Sequence, residues 1–280
     1  MVIDLGNRAS WEKMIAQIVQ RHVPVEVIEA VRKIPAARMY DDTMKYFEES
    51  LQAKGASPLF LLLPKMQGAM SRSFSALRAY HACKPTSLAS YHQHGLVPLT
   101  RQWLANEAFE LFEGTIPRGE ISRRVTEADL SIRKGHVWFA TNPDELTDMS
   151  AGHYLIYGPE CMNCLWHDDA RLFDESQSRQ RRRGIPTLFE CAVPLAQIDR
   201  EDKRALTKLL VTQYLKSLSD TPETEEWAIE FGFSLRRSLR PEHILGHTHP
   251  AAIPDQKDYG RDYHNPITTC PFCVQNAAIS

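Results

Sequence analysis

Apolar residues recur at three- and four-residue spacing from Trp11 onward: Met14, Ile15, Ile18 and Val19, then Val25, Ile28 and Val31, with Pro24 between the two sets. That period predicts two short amphipathic helices parted at the proline, whose ring cannot continue a helix interior. Ser10 stands just ahead of the first set, where its hydroxyl suits a helix cap. A third helix is expected over Asp41 to Ala53, closed by Gly55, since glycine adopts the left-handed conformation that ends helices. The Ser, Gly and Met content of Pro64 to Ser75 reads as a linker. Residues 1–70 are thus expected to form a helical N-terminal subdomain.

Beyond that point the period changes. Leu77 to Cys83 reads as a strand, Thr86 to His94 as a helix closed by Gly95, and Leu104 to Phe112 as a turn or two of helix. Gly135 to Thr141 is rich in β-branched and aromatic residues and is bounded by Gly135 and Pro143, which marks a strand. Gly152 to Tyr157 could be a strand or a helix start. Thr187 to Val193 is a strand, Lys203 to Leu218 a strongly periodic helix, and Phe231 to Leu235 a strand, with a short one near His243 to Leu245. Strands mixed irregularly with helices argue an α+β fold and not a repeating βαβ sheet. No internal repeat and no glycine-rich phosphate loop is present.

With 280 residues, 43% of them hydrophobic, the chain can bury a sizeable core without covalent staples. Its first residues lack the charged start, apolar run and small-residue cleavage site of a secretory signal, and the longest apolar run, Leu59 to Leu63, is too short to span a bilayer. A cytoplasmic protein without membrane partners is expected, its six cysteines reduced. The 33 basic and 35 acidic residues leave a formal net charge of −2, so no global field recruits nucleic acid. The run Arg179 to Arg183 reads as a solvated basic loop, with phosphate or RNA contact as its alternative.

The segment Arg78-Ala79-Tyr80-His81-Ala82-Cys83-Lys84-Pro85-Thr86, followed by Leu88, Tyr91 and Gly95-Leu96, resembles the first motif of the ADP-ribosyltransferase superfamily, in which a strand ends in His and a helix leads to a Gly-Leu closure. Gly135-His136-Val137-Trp138-Phe139-Ala140 is similar to the Gly-Ile-Tyr-Phe-Ala strand of the poly(ADP-ribose) polymerases, and Ser150 to Tyr154 to the stretch that supplies their second aromatic. The resemblance covers residues 74–250. It implies a split antiparallel sheet over that range, with residues 251–280 as a C-terminal tail, and NAD as substrate of an ADP-ribosyltransferase or NAD glycohydrolase. Cleavage of the nicotinamide–ribose bond passes through an oxocarbenium-like state, so such a site must fix the nicotinamide between aromatic faces and hold the ribose hydroxyls. By resemblance His81 holds the ribose, Trp138 occupies the first aromatic position, Tyr154 stacks on the nicotinamide and Arg78 reaches the pyrophosphate. Trp138 replaces a tyrosine and lacks its hydroxyl. Glu230 is the choice for the catalytic carboxylate, with Glu190, Glu225 and Glu226 as competitors. The acceptor would be a macromolecule, protein or nucleic acid. Two alternatives stand beside this reading: RNA 2′-phosphotransferase chemistry, and a non-catalytic, zinc-stabilised interaction module on the same fold. Taken alone, Trp138 and Tyr154 are ordinary core aromatics and Glu230 is a surface carboxylate.

Cys161-Met162-Asn163-Cys164 and Cys270-Pro271-Phe272-Cys273 are two Cys-x-x-Cys pairs, and each can offer two thiolates to one zinc ion from a tight turn. The two pairs together would complete a tetrahedron if the C-terminus folds back on the middle of the chain. His167, His247, His249 and His264 are candidate substitutes. Cys83 and Cys191 fall in expected strands and read as small core residues.

Overall fold

The computed structural model describes residues 1–34, 42–130, 134–219, 229–258 and 261–273. Strand β1 (Val2–Ile3) precedes helices α1 (Glu12–His22) and α2 (Val25–Arg32), parted at Pro24 as its ring requires. Ser10 does not cap α1: its hydroxyl accepts from the Asp4 amide at 2.9 Å and so braces the preceding turn. Helix α3 (Thr43–Ala53) ends before Gly55, which has a φ of +62°. Asp41, the expected start of that helix, lies outside the described residues.

The expected linker is instead helix α4 (Leu59–Ser73), with Pro64 inside it. Leu62, Leu63, Met66, Ala69 and Met70 are buried at three- and four-residue spacing, and this apolar stripe offsets the one hydrogen bond that Pro64 forfeits. The chain continues through β2 (Ala76–Cys83), α5 (Ala89–His94), α6 (Arg101–Leu111), α7 (Arg118–Glu127), β3 (Val137–Ala140), α8 (His153–Tyr157) and α9 (Glu160–Cys164). Helix α6 begins at Thr100, whose hydroxyl accepts from the Trp103 amide at 3.0 Å. Next comes α10 (Ala170–Arg182), capped by Asp169 through the Leu172 amide. It absorbs the arginine run that the sequence presents as a loop: Arg179 donates to the Leu111 carbonyl at 2.8 Å and pairs with Glu175 at 2.7 Å. The remaining elements are β4 (Thr187–Pro194), α11 (Arg200–Ser217), β5 (Gly232–Leu235), β6 (Ile244–Thr248), β7 (Ala252–Asp255) and β8 (Arg261–His264).

These elements form two compact units, each from two stretches of chain: Met1–Arg78 with Val193–Phe231, and Ala79–Ala192 with Gly232–Ser280. The first unit is helical, with α1, α4 and α11 packed together around Ile15, Ile18, Met66, Met70, Leu210 and Val211. In it β1 runs parallel to the start of β2, Val2 opposite Ala76.

The second unit holds a sheet in the order β5-β3-β2-β4-β6, with β2–β3, β3–β5 and β4–β6 antiparallel. This is an α+β architecture. A separate hairpin, β7–β8, packs Ile253 and Tyr263 against Leu155, Ile156 and Tyr157 of α8. Beneath the hairpin Tyr157 donates to Asp255, which is fully buried and pairs with Arg181. Lys84 donates to the carbonyls of Ile156 at 2.7 Å and Arg181 at 2.8 Å, closing the C-terminal ends of two helices. Among the described residues, no helix is long and apolar enough to cross a membrane.

Candidate metal centre

His247 is the penultimate residue of strand β6 and His249 follows just past its end, and the alternation of extended backbone puts both imidazoles on one face, with ring centroids 5.0 Å apart. Pro250 follows and ends the strand. The chain then makes the β7–β8 hairpin and returns as the turn Cys270 to Cys273, closed by the Cys273 amide donating to the Cys270 carbonyl at 3.0 Å. That turn sets the two sulfurs side by side, 3.7 Å apart, and Nε2 of His247 lies 3.3 Å from each. One ligand atom from each of His247, His249, Cys270 and Cys273 falls within 4.8 Å of the others.

The His249 tautomer agrees with a ligand role. Nδ1 of His249 faces the Pro186 carbonyl at 2.9 Å, and a carbonyl only accepts, so the proton sits on Nδ1 and the lone pair on Nε2. That Nε2 is buried and has no hydrogen-bond partner among the described residues. A buried unpaired imidazole nitrogen is costly unless an ion or water meets it. Burial, with His249 and His92 alongside, lowers the His247 pKa to about 4, so its ring is neutral near pH 7, the state in which imidazole binds a cation. Burial raises the Cys273 thiol above its ordinary value, and a divalent cation at the site would favour the thiolate instead.

Cys161 and Cys164 are not part of this group. Cys161 is 2% exposed in a core cluster with Leu104, Leu165 and Trp166, while Cys164 is exposed at the end of α9. Of the four histidines named as substitutes, His247 and His249 join the Cys270–Cys273 pair. His167 is exposed and turned to the Cys164 carbonyl at 2.8 Å, and His264 is exposed on β8.

The residues named by the ADP-ribosyltransferase resemblance are distributed as follows. Arg78 pairs with Asp4 at 2.8 Å in the first unit. Glu230, exposed just before β5, belongs to that unit as well. In the second unit Nδ1 of His81 donates to the Trp138 carbonyl at 2.8 Å, and its ring lies 5.9 Å from that of Phe139. Burial lowers the His81 pKa, an effect that this hydrogen bond opposes. Phe139 stacks on Phe233, whereas Ala140 packs with Leu146, Leu188, Tyr80 and Ala82. Alternation therefore assigns His81 to the Phe139 face of the sheet and the side chain of Trp138, 40% exposed, to the Ala140 face. The structure brings His81 to the backbone of Trp138 and not to its ring. Tyr154 lies on α8 with its ring 4.1 Å from His153. Glu190 is half-buried on β4, and Glu225 and Glu226 lie outside the described residues. A cleft of about 440 Å³ in the second unit is lined by Glu110, Leu111, Glu175, Arg179, Arg182 and Arg183, and by none of the residues named for NAD.

The chain matches no family model, no curated protein and no solved structure.

Proposed function

We propose that this protein is a zinc-binding module in which the ion is structural, clasping the Cys270–Cys273 turn onto strand β6. The observation that carries the reading is the spacing of the donor atoms. Zinc–sulfur bonds of about 2.3 Å at tetrahedral angles put two thiolates about 3.8 Å apart, and an imidazole nitrogen about 3.6 Å from each. The sulfurs stand at 3.7 Å and Nε2 of His247 at 3.3 Å from both, and the His249 donor atom lies within 4.8 Å of all three. Two thiolates and two neutral imidazoles balance the double charge of zinc, suit its borderline softness and leave no open position, which is the pattern of a structural site and not a catalytic one.

The fold explains what the ion would do. Between His249 and Cys270 the chain makes the hairpin that covers α8, so binding closes a loop around that hairpin and removes conformational freedom from the unfolded chain. The ion would thereby hold Ile253 and Tyr263 on α8 and present a rigid surface to a partner. Chelation tests this: stripping the metal should lower the melting temperature by several degrees and accelerate amide exchange in residues 252–264. Unchanged melting and exchange after treatment with a strong chelator would oppose the reading.

A second reading, cleavage of NAD with transfer or hydrolysis of ADP-ribose on a split-sheet fold, is supported by the sequence resemblance and by one feature of His81. Its Nδ1–H is held by the Trp138 carbonyl, which leaves Nε2 to receive a ribose hydroxyl. The placement of Trp138 on the other face counts against a shared pocket. Release of nicotinamide from NAD, lost in His81→Ala, would favour this reading, and no release would remove it.

A further inference from the structure

We propose, resting on the zinc reading, that His92 is a positioning residue of the metal centre: its ring clamps Phe272, keeps the Cys270–Cys273 turn closed on His247 and ties helix α5 to the ion. Phe272 lies inside that turn, between the two cysteines. Its ring is nearly parallel to that of His92, 13° off plane with centroids 4.6 Å apart. The same imidazole meets His247 edge-on at 5.4 Å. His92 thus touches one ligand directly, and reaches the turn that carries two others through Phe272.

His92 falls outside the set of four mutually close donor atoms, so it contributes a ring face and not a nitrogen. Its Nε2 makes no hydrogen bond among the described residues, so the stack on Phe272 and the edge contact with His247 are the contacts that orient the ring. The preceding residue grips the other half of the site. Tyr91 stacks on Phe189 at 5.0 Å, and Phe189 sits opposite His247 in the β4–β6 register with ring centroids 5.8 Å apart. Two consecutive residues of α5 therefore brace the strand that supplies the imidazoles and the turn that supplies the thiols. Groups that orient metal ligands from outside the coordination sphere alter affinity by about 10- to 100-fold when removed.

The experiment is competition for zinc between the full chain and a chromophoric chelator, with His92→Ala, His92→Phe and Phe272→Ala beside the parent. His92→Ala and Phe272→Ala should each weaken binding by about tenfold or more, while His92→Phe, which keeps the stack and removes both nitrogens, should stay within about threefold of the parent. Amide exchange of residues 89–94 should slow on zinc binding in the parent and not in His92→Ala. Parent-like affinity in His92→Ala overturns this proposal alone. A loss in His92→Phe as large as in His92→Ala overturns it as well, because a nitrogen and not the stack would then be what matters. Failure of the parent to bind zinc overturns the zinc reading and this proposal together.

Discussion

Gly95 approaches the backbone of Leu239 so closely that a Cβ on it would lie 1.9 Å from the Leu239 carbonyl oxygen. Its φ of +76° is a conformation that L side chains rarely adopt. The contact closes helix α5 and lets Leu96 and Leu239 exchange two backbone hydrogen bonds of 2.9 Å. Gly95→Ala should cost about 2–4 kcal/mol, the sum of a left-handed alanine and a forced backbone shift. Urea titration checks this, and a variant as stable as the parent would refute the geometry.

Lys84 is the second test. Burial and the neighbouring Arg181 guanidinium lower its pKa to about 7, against two carbonyls that hold the proton in place. Lys84→Met keeps the stem and strands the carbonyls of Ile156 and Arg181, at a cost of about 2–4 kcal/mol. An equilibrium unfolding measurement at pH 6, where the ammonium is charged, should show the loss; none would mean that water replaces the amine.

Acid sensitivity follows from His81. Its folded pKa lies below the ordinary histidine value of about 6.5, so as pH falls through that value the unfolded chain takes up the proton first. Stability present above pH ~6.5 is therefore lost as pH falls toward the folded pKa. Unfolding free energies at pH 7.5 and 5.5 should fall more in the parent than in His81→Gln. An equal fall in both would show that His81 titrates alike in the two states.

Much of the fold was legible because apolar periodicity and burial coincide: Pro24 parts α1 from α2, and the strands β2, β3 and β4 sit where β-branched and aromatic residues cluster. Helices α4 and α10 were hidden for different reasons. In α4 a proline and a Ser- and Gly-containing surface masked a regular buried stripe. The buried face of α10 includes Ser176, Gln177 and Gln180, with Gln180 donating to Ser176 at 2.9 Å, so its apolar period is weak. At the candidate metal centre the sequence named Cys270 and Cys273 through their spacing, and His247 and His249 only as substitutes. Two matching Cys-x-x-Cys pairs suggested a four-cysteine site, whereas the His-x-His spacing at the end of a strand, which that reading did not use, is the signal that could have found the other half. Burial of Cys161 depends on the packing of α6, α7 and α9 around Trp166, which local sequence does not report.

The most direct measurement is zinc content by elemental analysis of the purified chain and two variants. About one zinc per chain is expected in the parent and in Cys164→Ser, and little or none in Cys270→Ser, because a tetrahedral site deprived of a thiolate binds far more weakly. A metal-free parent, or a loss of zinc in Cys164→Ser equal to that in Cys270→Ser, would contradict the centre formed by His247, His249, Cys270 and Cys273.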